Sequence, residues 1–188
     1  MLNDKAMVKI VKQGNKKGKR LFIYNVDGIY YFSDTYGIYK FIPELHQKTG
    51  QEISKIFMGL PEEGKTFSMI DKERTDSTPD IMNIFFDAEK ASYDHKLKAT
   101  DYIKEVKSRE GKVTMTARIL VNNEFVTLVN DDYFSVTEEH HTLKIKTNSR
   151  HEAVCVFNGD EMLALILPIR IEESETAKLD KFIEIVAA

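Results

Sequence analysis

The chain has 188 residues, 42% hydrophobic and 30% charged, an ordinary globular mixture that needs neither disulfides nor metals to fold. Its formal net charge of −3 argues against binding nucleic acid over the whole surface but leaves room for a local basic face. The single cysteine, Cys155, excludes an intramolecular disulfide, and no apolar run reaches the length of a membrane span or forms a signal-peptide core, so a cytoplasmic protein without membrane partners is expected.

Residues 7–11 fit a short strand or the start of a helix. The segment from Asp4 to Arg20 holds Lys5, Lys9, Lys12, Lys16, Lys17, Lys19 and Arg20 against one acid. Its plainest reading is a solvated loop or hairpin; its sharper reading is a phosphate contact. Residues 20–24 and 29–32 are predicted strands joined at Asp27-Gly28, a strong hairpin signal. Residues 36–41 complete a meander. A short helix is predicted before Gly50 and a second over 52–58. Residues 68–79 suit an exposed loop or two edge strands, and 80–87 a helix. Residues 93–106 are ambiguous, and the spacing of Leu97, Tyr102, Ile103 and Val106 permits a helix with a basic opposite face.

Strict alternation then predicts strands over 112–120, 125–129, 142–147 and 150–157, with a short helical turn after Asp131-Asp132. Residues 162–169 form the most apolar stretch and are predicted to be central. Val113, Met115, Ala117, Leu143, Ile145, Val154, Val156, Leu165 and Leu167 are the expected buried face. Leu179, Phe182, Ile183 and Val186 make one stripe of a terminal helix, expected to cover an apolar surface of its own domain or of an identical neighbour, the nearest in sequence being the 163–169 strand. The fold class is therefore α+β, an antiparallel sheet with short helices. We expect a single domain over 1–188, with 172–188 as a helical extension.

No catalytic constellation emerges. His140, His141 and His151 lie near Cys155 in sequence but match no compact zinc signature. Asp131 and Asp132 read as a turn and helix cap. There is no nucleophile elbow, and residues 14–19 lack the phosphate-loop spacing. No cofactor is expected, and a non-enzymatic protein-interaction module is the leading reading. A small enzyme assembled from scattered loop residues and a structural accessory protein are the alternatives.

Two segments resemble the bacterial DNA polymerase sliding clamp. Gly18-Lys19-Arg20 precedes a strand, a hairpin and Ser33-Asp34-Thr35-Tyr36-Gly37-Ile38, similar to that family's "TD-x-x-R-L" element, with Gly37 where the family has arginine. Residues 124–171 are similar to the last half-domain, ending in Leu167-Pro168-Ile169-Arg170-Ile171. The resemblance implies a clamp-like fold, self-association, a role in DNA replication or a mobile element, and a helical surface toward duplex DNA that would include Lys104 and Lys107. It also implies a partner-peptide groove including Tyr36, Ile38, Leu167, Pro168, Ile169 and Arg170. Read from alternation alone, Leu167 and Ile169 are core. The chain is about half the length of such a clamp subunit, and the tail beyond Ile171 has no counterpart there.

Overall fold

A computed structural model describes residues 2–16, 19–76, 80–107, 114–137, 143–171 and 173–186. Residues 7–11 lie in a helix, α1 (Asp4–Gly14), because Met7, Ile10, Val11 and Gly14 recur at helical spacing and are all buried. Asn3 caps it, its side chain accepting the Ala6 N–H at 3.0 Å. The meander follows as β1 (Arg20–Val26), β2 (Ile29–Ser33) and β3 (Gly37–Phe41). Asp27 and Gly28 turn β1 into β2 with φ of 53° and 74°, the left-handed pair that a tight hairpin needs.

The two helices predicted around Gly50 are one, α2 (Gln47–Phe57). Gly50 does not break it but lets it approach the preceding chain, since a Cβ there would lie 3.3 Å from the Pro43 Cβ. The residue before α2, His46, makes no side-chain cap. Asp4 at the start of α1 supplies it instead. Its carboxylate accepts the Thr49 N–H at 2.9 Å, the Lys48 N–H at 3.1 Å and the Thr49 hydroxyl at 2.6 Å. The N-termini of α1 and α2 are thereby fastened together.

Burial pushes the Asp4 carboxyl up, but the bonds from Thr49 and Lys48 outweigh it and hold it below its ordinary 3.8. Its contribution is present at neutral pH and is lost as pH falls through the lowered value. We expect Asp4→Ala to cost about 1 kcal/mol at pH 7. In urea unfolding, the gap to the parent should close toward pH 3; a gap that stays constant would contradict the cap.

β4 (Thr66–Ile70) and the exposed β5 (Glu73–Asp76) form the edge hairpin, and α3 (Asp80–Lys90) follows. The ambiguous segment around Lys104, whose spacing permits a helix, is a strand, β6 (His95–Lys107). Of the residues whose spacing suggested a helix, Leu97 and Val106 are buried, whereas Tyr102 and Ile103 are more than half exposed at a bulge: between Ala99 and Ile103 the register against β7 (Thr114–Val121) shifts. The Thr100 hydroxyl fixes the bulge by donating to the Ile119 carbonyl at 2.8 Å and accepting the Tyr102 N–H at 3.2 Å.

β8 (Val126–Asn130), α4 (Asp131–Phe134), β9 (Lys144–Thr147), β10 (Val154–Asn158), β11 (Glu161–Ile166) and α5 (Glu173–Val186) complete the order. The described strands form one eleven-stranded antiparallel sheet, ordered β5-β4-β1-β2-β3-β11-β10-β9-β6-β7-β8, which does not close into a barrel. β11 is central, as its composition predicts. Ala117, Ile145, Val154, Val156 and Leu165 are buried, whereas Met115 and Leu143 are only half-buried and Val113 lies outside the described residues.

Leu167 is a further correction, being 45% exposed. β11 stops at Ile166 because the chain leaves the sheet there. The Leu167 N–H donates to the Tyr36 carbonyl at 2.9 Å, Pro168 bridges to Val129, and the Ile169 N–H donates to the Leu128 carbonyl at 2.7 Å.

One face of the sheet packs under α1, α2 and α4, with Ile23, Phe32, Tyr39, Val154 and Val156 among its core. On the other face, Met82 and Phe85 of α3 cover Phe22, Tyr31 and Leu165. On that same face Leu179 of α5, with the half-buried Ile183, packs on Val106, Ile119, Val126 and Leu128. The terminal helix thus covers an apolar surface of its own chain, β6–β8, and meets the 163–169 segment only at Ile169, the faces of β11 being taken by the other two clusters. The side chains of Phe182 and Val186 lie outside the described residues.

Candidate nucleic-acid interface and partner surface

The basic run near the N-terminus is mostly helical, and this changes what it presents. Lys5, Lys9 and Lys12 follow i, i+4 and i+7 spacing, so they share the side of α1 turned away from Met7, Ile10 and Val11, and Lys16 follows just past the helix end. All four are exposed, as are Lys48 and Lys55 on α2 alongside. Two carboxylates moderate the layer. Asp132 accepts from Lys9 at 2.5 Å and from Gln13 at 3.1 Å, and Glu52 lies 3.8 Å from Lys12 and 3.9 Å from Lys55. Among the described residues no ion pair engages Lys5, Lys16 or Lys48. The layer is therefore a cationic surface on a rigid pair of helices. Lys17 lies outside the described residues.

Of the residues that the clamp resemblance places in a groove, the structure brings Tyr36, Leu167 and Pro168 together. Tyr36 and Leu167 are 55% and 45% exposed and are joined through the Leu167 N–H. The Lys19 ammonium lies 5.5 Å from the centre of the Tyr36 ring. Ile38 is not part of this surface, for it is buried in the cluster under α3. Ile169 turns toward α5, half-buried, and Arg170 is exposed beyond it.

Beneath Tyr36 lies a buried polar network. Asp34 is fully buried, its carboxylate accepting the Tyr133 hydroxyl, the Tyr36 N–H at 3.2 Å and the Gly37 N–H at 3.3 Å. The Tyr39 hydroxyl donates to the Tyr133 carbonyl at 3.2 Å. The network joins the start of β3 to α4 and fixes the loop that carries Tyr36.

The helical DNA face expected around Lys104 and Lys107 is not there, because both residues lie on β6. Lys104 is engaged by Glu175 of α5, while Lys107 is exposed at the strand end. The other polar candidates are spent on structure. Asp131 accepts from Arg118 at 2.7 Å, and Asp132 belongs to the helix layer. Cys155 is buried beside the Tyr93 hydroxyl at 3.1 Å, and burial pushes its thiol up to about 11, away from thiolate chemistry. His151 is exposed, and His140 and His141 lie outside the described residues. Among the described residues no three His, Cys, Asp or Glu side chains are placed to share a metal ion, and no helix is long and apolar enough to cross a membrane.

No family model matches the chain, and no curated protein or solved structure matches it. The α1–α2 surface was only half visible in the sequence. Its lysines stood out, but their helical spacing was obscured by the following Gly and Asn residues, which read as a turn. Nothing in the pattern placed α2 beside α1.

Proposed function

We propose that this chain is a non-enzymatic binding module that rests its α1–α2 layer on duplex DNA, an accessory role of the kind the sliding-clamp resemblance implies. The observation that carries the reading is the row of exposed lysines along α1, continued by Lys48 and Lys55 of α2, on helices whose N-termini are tied together by Asp4. Ammonium groups on a rigid surface suit phosphate contacts that are independent of sequence. The Tyr36–Leu167 surface is the place for a partner protein in this reading. An aromatic and an aliphatic side chain beside Lys19 favour a peptide with an apolar anchor and an acidic flank.

Charge reversal at Lys5 and Lys48 tests the DNA contact. Neither residue pairs with an acid among the described residues, so the variant should keep its stability. Fluorescence anisotropy with a labelled duplex at low salt should give an affinity at least about tenfold weaker for Lys5→Glu/Lys48→Glu. Equal affinity, or no binding by the parent, would remove the assignment.

A further inference from the structure

Among the described residues, the sheet face that carries α3 and α5 is not fully covered. α3 packs over the cluster that includes β10 and β11, and α5 packs over the distal part of β6 with β7 and β8. Between them lie β9 and the first half of β6. There Leu97 and Ile145 stand opposite each other and both enter the core under α1 and α2. Their sequence neighbours therefore point the other way, which sets Lys96 and Lys98 of β6 beside Lys144 and Lys146 of β9.

Lys96 and Lys146 are direct cross-strand partners. Like charges so placed weaken a sheet. Among the described residues, what offsets them is slight. Lys144 reaches the exposed Asp160 at 3.2 Å, and Lys146 lies 4.4 Å from the centre of the Phe157 ring. No ion pair among the described residues holds Lys96 or Lys98. Next to these two lysines opens a cleft of about 390 Å³, bounded by Val121, Asn122, Asn123 and Ile183. The Asn122 side-chain oxygen accepts the Glu124 and Phe125 N–H groups at 2.8 Å each, which leaves its amide nitrogen as a donor.

We propose that this cleft, with the lysine band behind it, binds phosphate groups, either of a free polyphosphate or of a single nucleic-acid strand. The chemistry points to phosphate because all four cations are lysines. Their compact ammonium groups serve phosphate as point charges, whereas planar carboxylates are best met by the paired donors of arginine. Lysines two apart on a strand are about 6.8 Å from each other and neighbouring strands about 4.8 Å, so the four form a grid on which several phosphates can rest. A bound polyanion also relieves the repulsion built into the Lys96–Lys146 pair. This site lies across the sheet from the α1–α2 layer and is independent of it.

The test uses the full chain and tripolyphosphate, followed by calorimetry and by thermal melting. The parent should bind and melt at higher temperature with the ligand. Lys96→Gln/Lys98→Gln should bind about tenfold or more weakly and lose the thermal shift, while Lys5→Gln/Lys48→Gln keeps both. The double variant relieves repulsion, so it should fold at least as well as the parent. Competition by single-stranded oligothymidylate would assign the site to a nucleic-acid backbone; its absence would assign it to a free polyphosphate. No binding of tripolyphosphate, equal binding by the Lys96/Lys98 variant, or equally tight binding of poly-glutamate would overturn the proposal.

Discussion

Replacing Tyr133 by phenylalanine is expected to cost about 2–3 kcal/mol, although it removes one oxygen atom and leaves the ring in place. The Tyr133 hydroxyl donates to the carboxylate of Asp34, which has no exposure to water. Without it the carboxylate keeps only the backbone donors of Tyr36 and Gly37, and a buried charge short of a partner is expensive. Burial pushes the Asp34 carboxyl above its ordinary 3.8, against the bonds from Tyr133, Tyr36 and Gly37 and the nearby Lys19. The folded chain therefore holds this proton more tightly than the unfolded chain. The associated stability is complete below the ordinary value and declines as pH rises toward the raised one. Tyr133→Phe removes a bond that opposes the rise, so the decline should extend to higher pH. Asp34→Asn should abolish that decline. Denaturant unfolding between pH 4 and 8 reads both effects; a Tyr133→Phe cost below about 0.5 kcal/mol would show that the hydroxyl is not needed.

Gly37→Ala is expected to destabilise the fold by about 1–3 kcal/mol through overpacking alone. The backbone at Gly37 is not in the left-handed region, so alanine has no conformational penalty there. Its Cβ would lie 2.8 Å from the Tyr39 hydroxyl oxygen and 2.9 Å from the ring edge. Tyr39 cannot yield easily, being fully buried with its hydroxyl bonded to the Tyr133 carbonyl. The melting temperature should fall by about 2–4 °C for each kcal/mol lost. The same geometry explains the departure seen in the sequence. An arginine at this position, as the sliding-clamp element carries, would have to displace the Tyr39 ring. The likeness of residues 33–38 to that element therefore does not extend to its side-chain packing.

Much of the fold was legible because local and tertiary preferences agree. Asp27-Gly28 names its hairpin, Ala117 and Ile119 alternate with polar neighbours on β7, and the apolar composition of β11 matches its central place. The misreadings arose where tertiary structure overrides local pattern. The bulge at Thr100 breaks the alternation of β6 and leaves Tyr102 and Ile103 outward, where helical spacing joined them to Leu97 and Val106, and Gly50 looked like a helix break when its role is to let α2 approach Pro43. Leu167 looked like core because alternation cannot register where a strand leaves its sheet. Both cationic surfaces depend on pairings remote in sequence: α1 with α2, and β6 with β9. Lys144 and Lys146 read as an ordinary outward face until the register set Lys96 opposite Lys146.

The assignment of duplex DNA to the α1–α2 layer is tested most directly by the salt dependence of binding. The logarithm of the association constant falls linearly with the logarithm of salt concentration, by roughly 0.9 for each phosphate neutralised. Titrating a labelled duplex across a salt series should give a steep slope for the parent. The neutral variant Lys5→Gln/Lys48→Gln should show a slope smaller by about 2, with no change between duplex sequences. A slope identical in the two proteins would contradict the account, since binding would then use neither lysine.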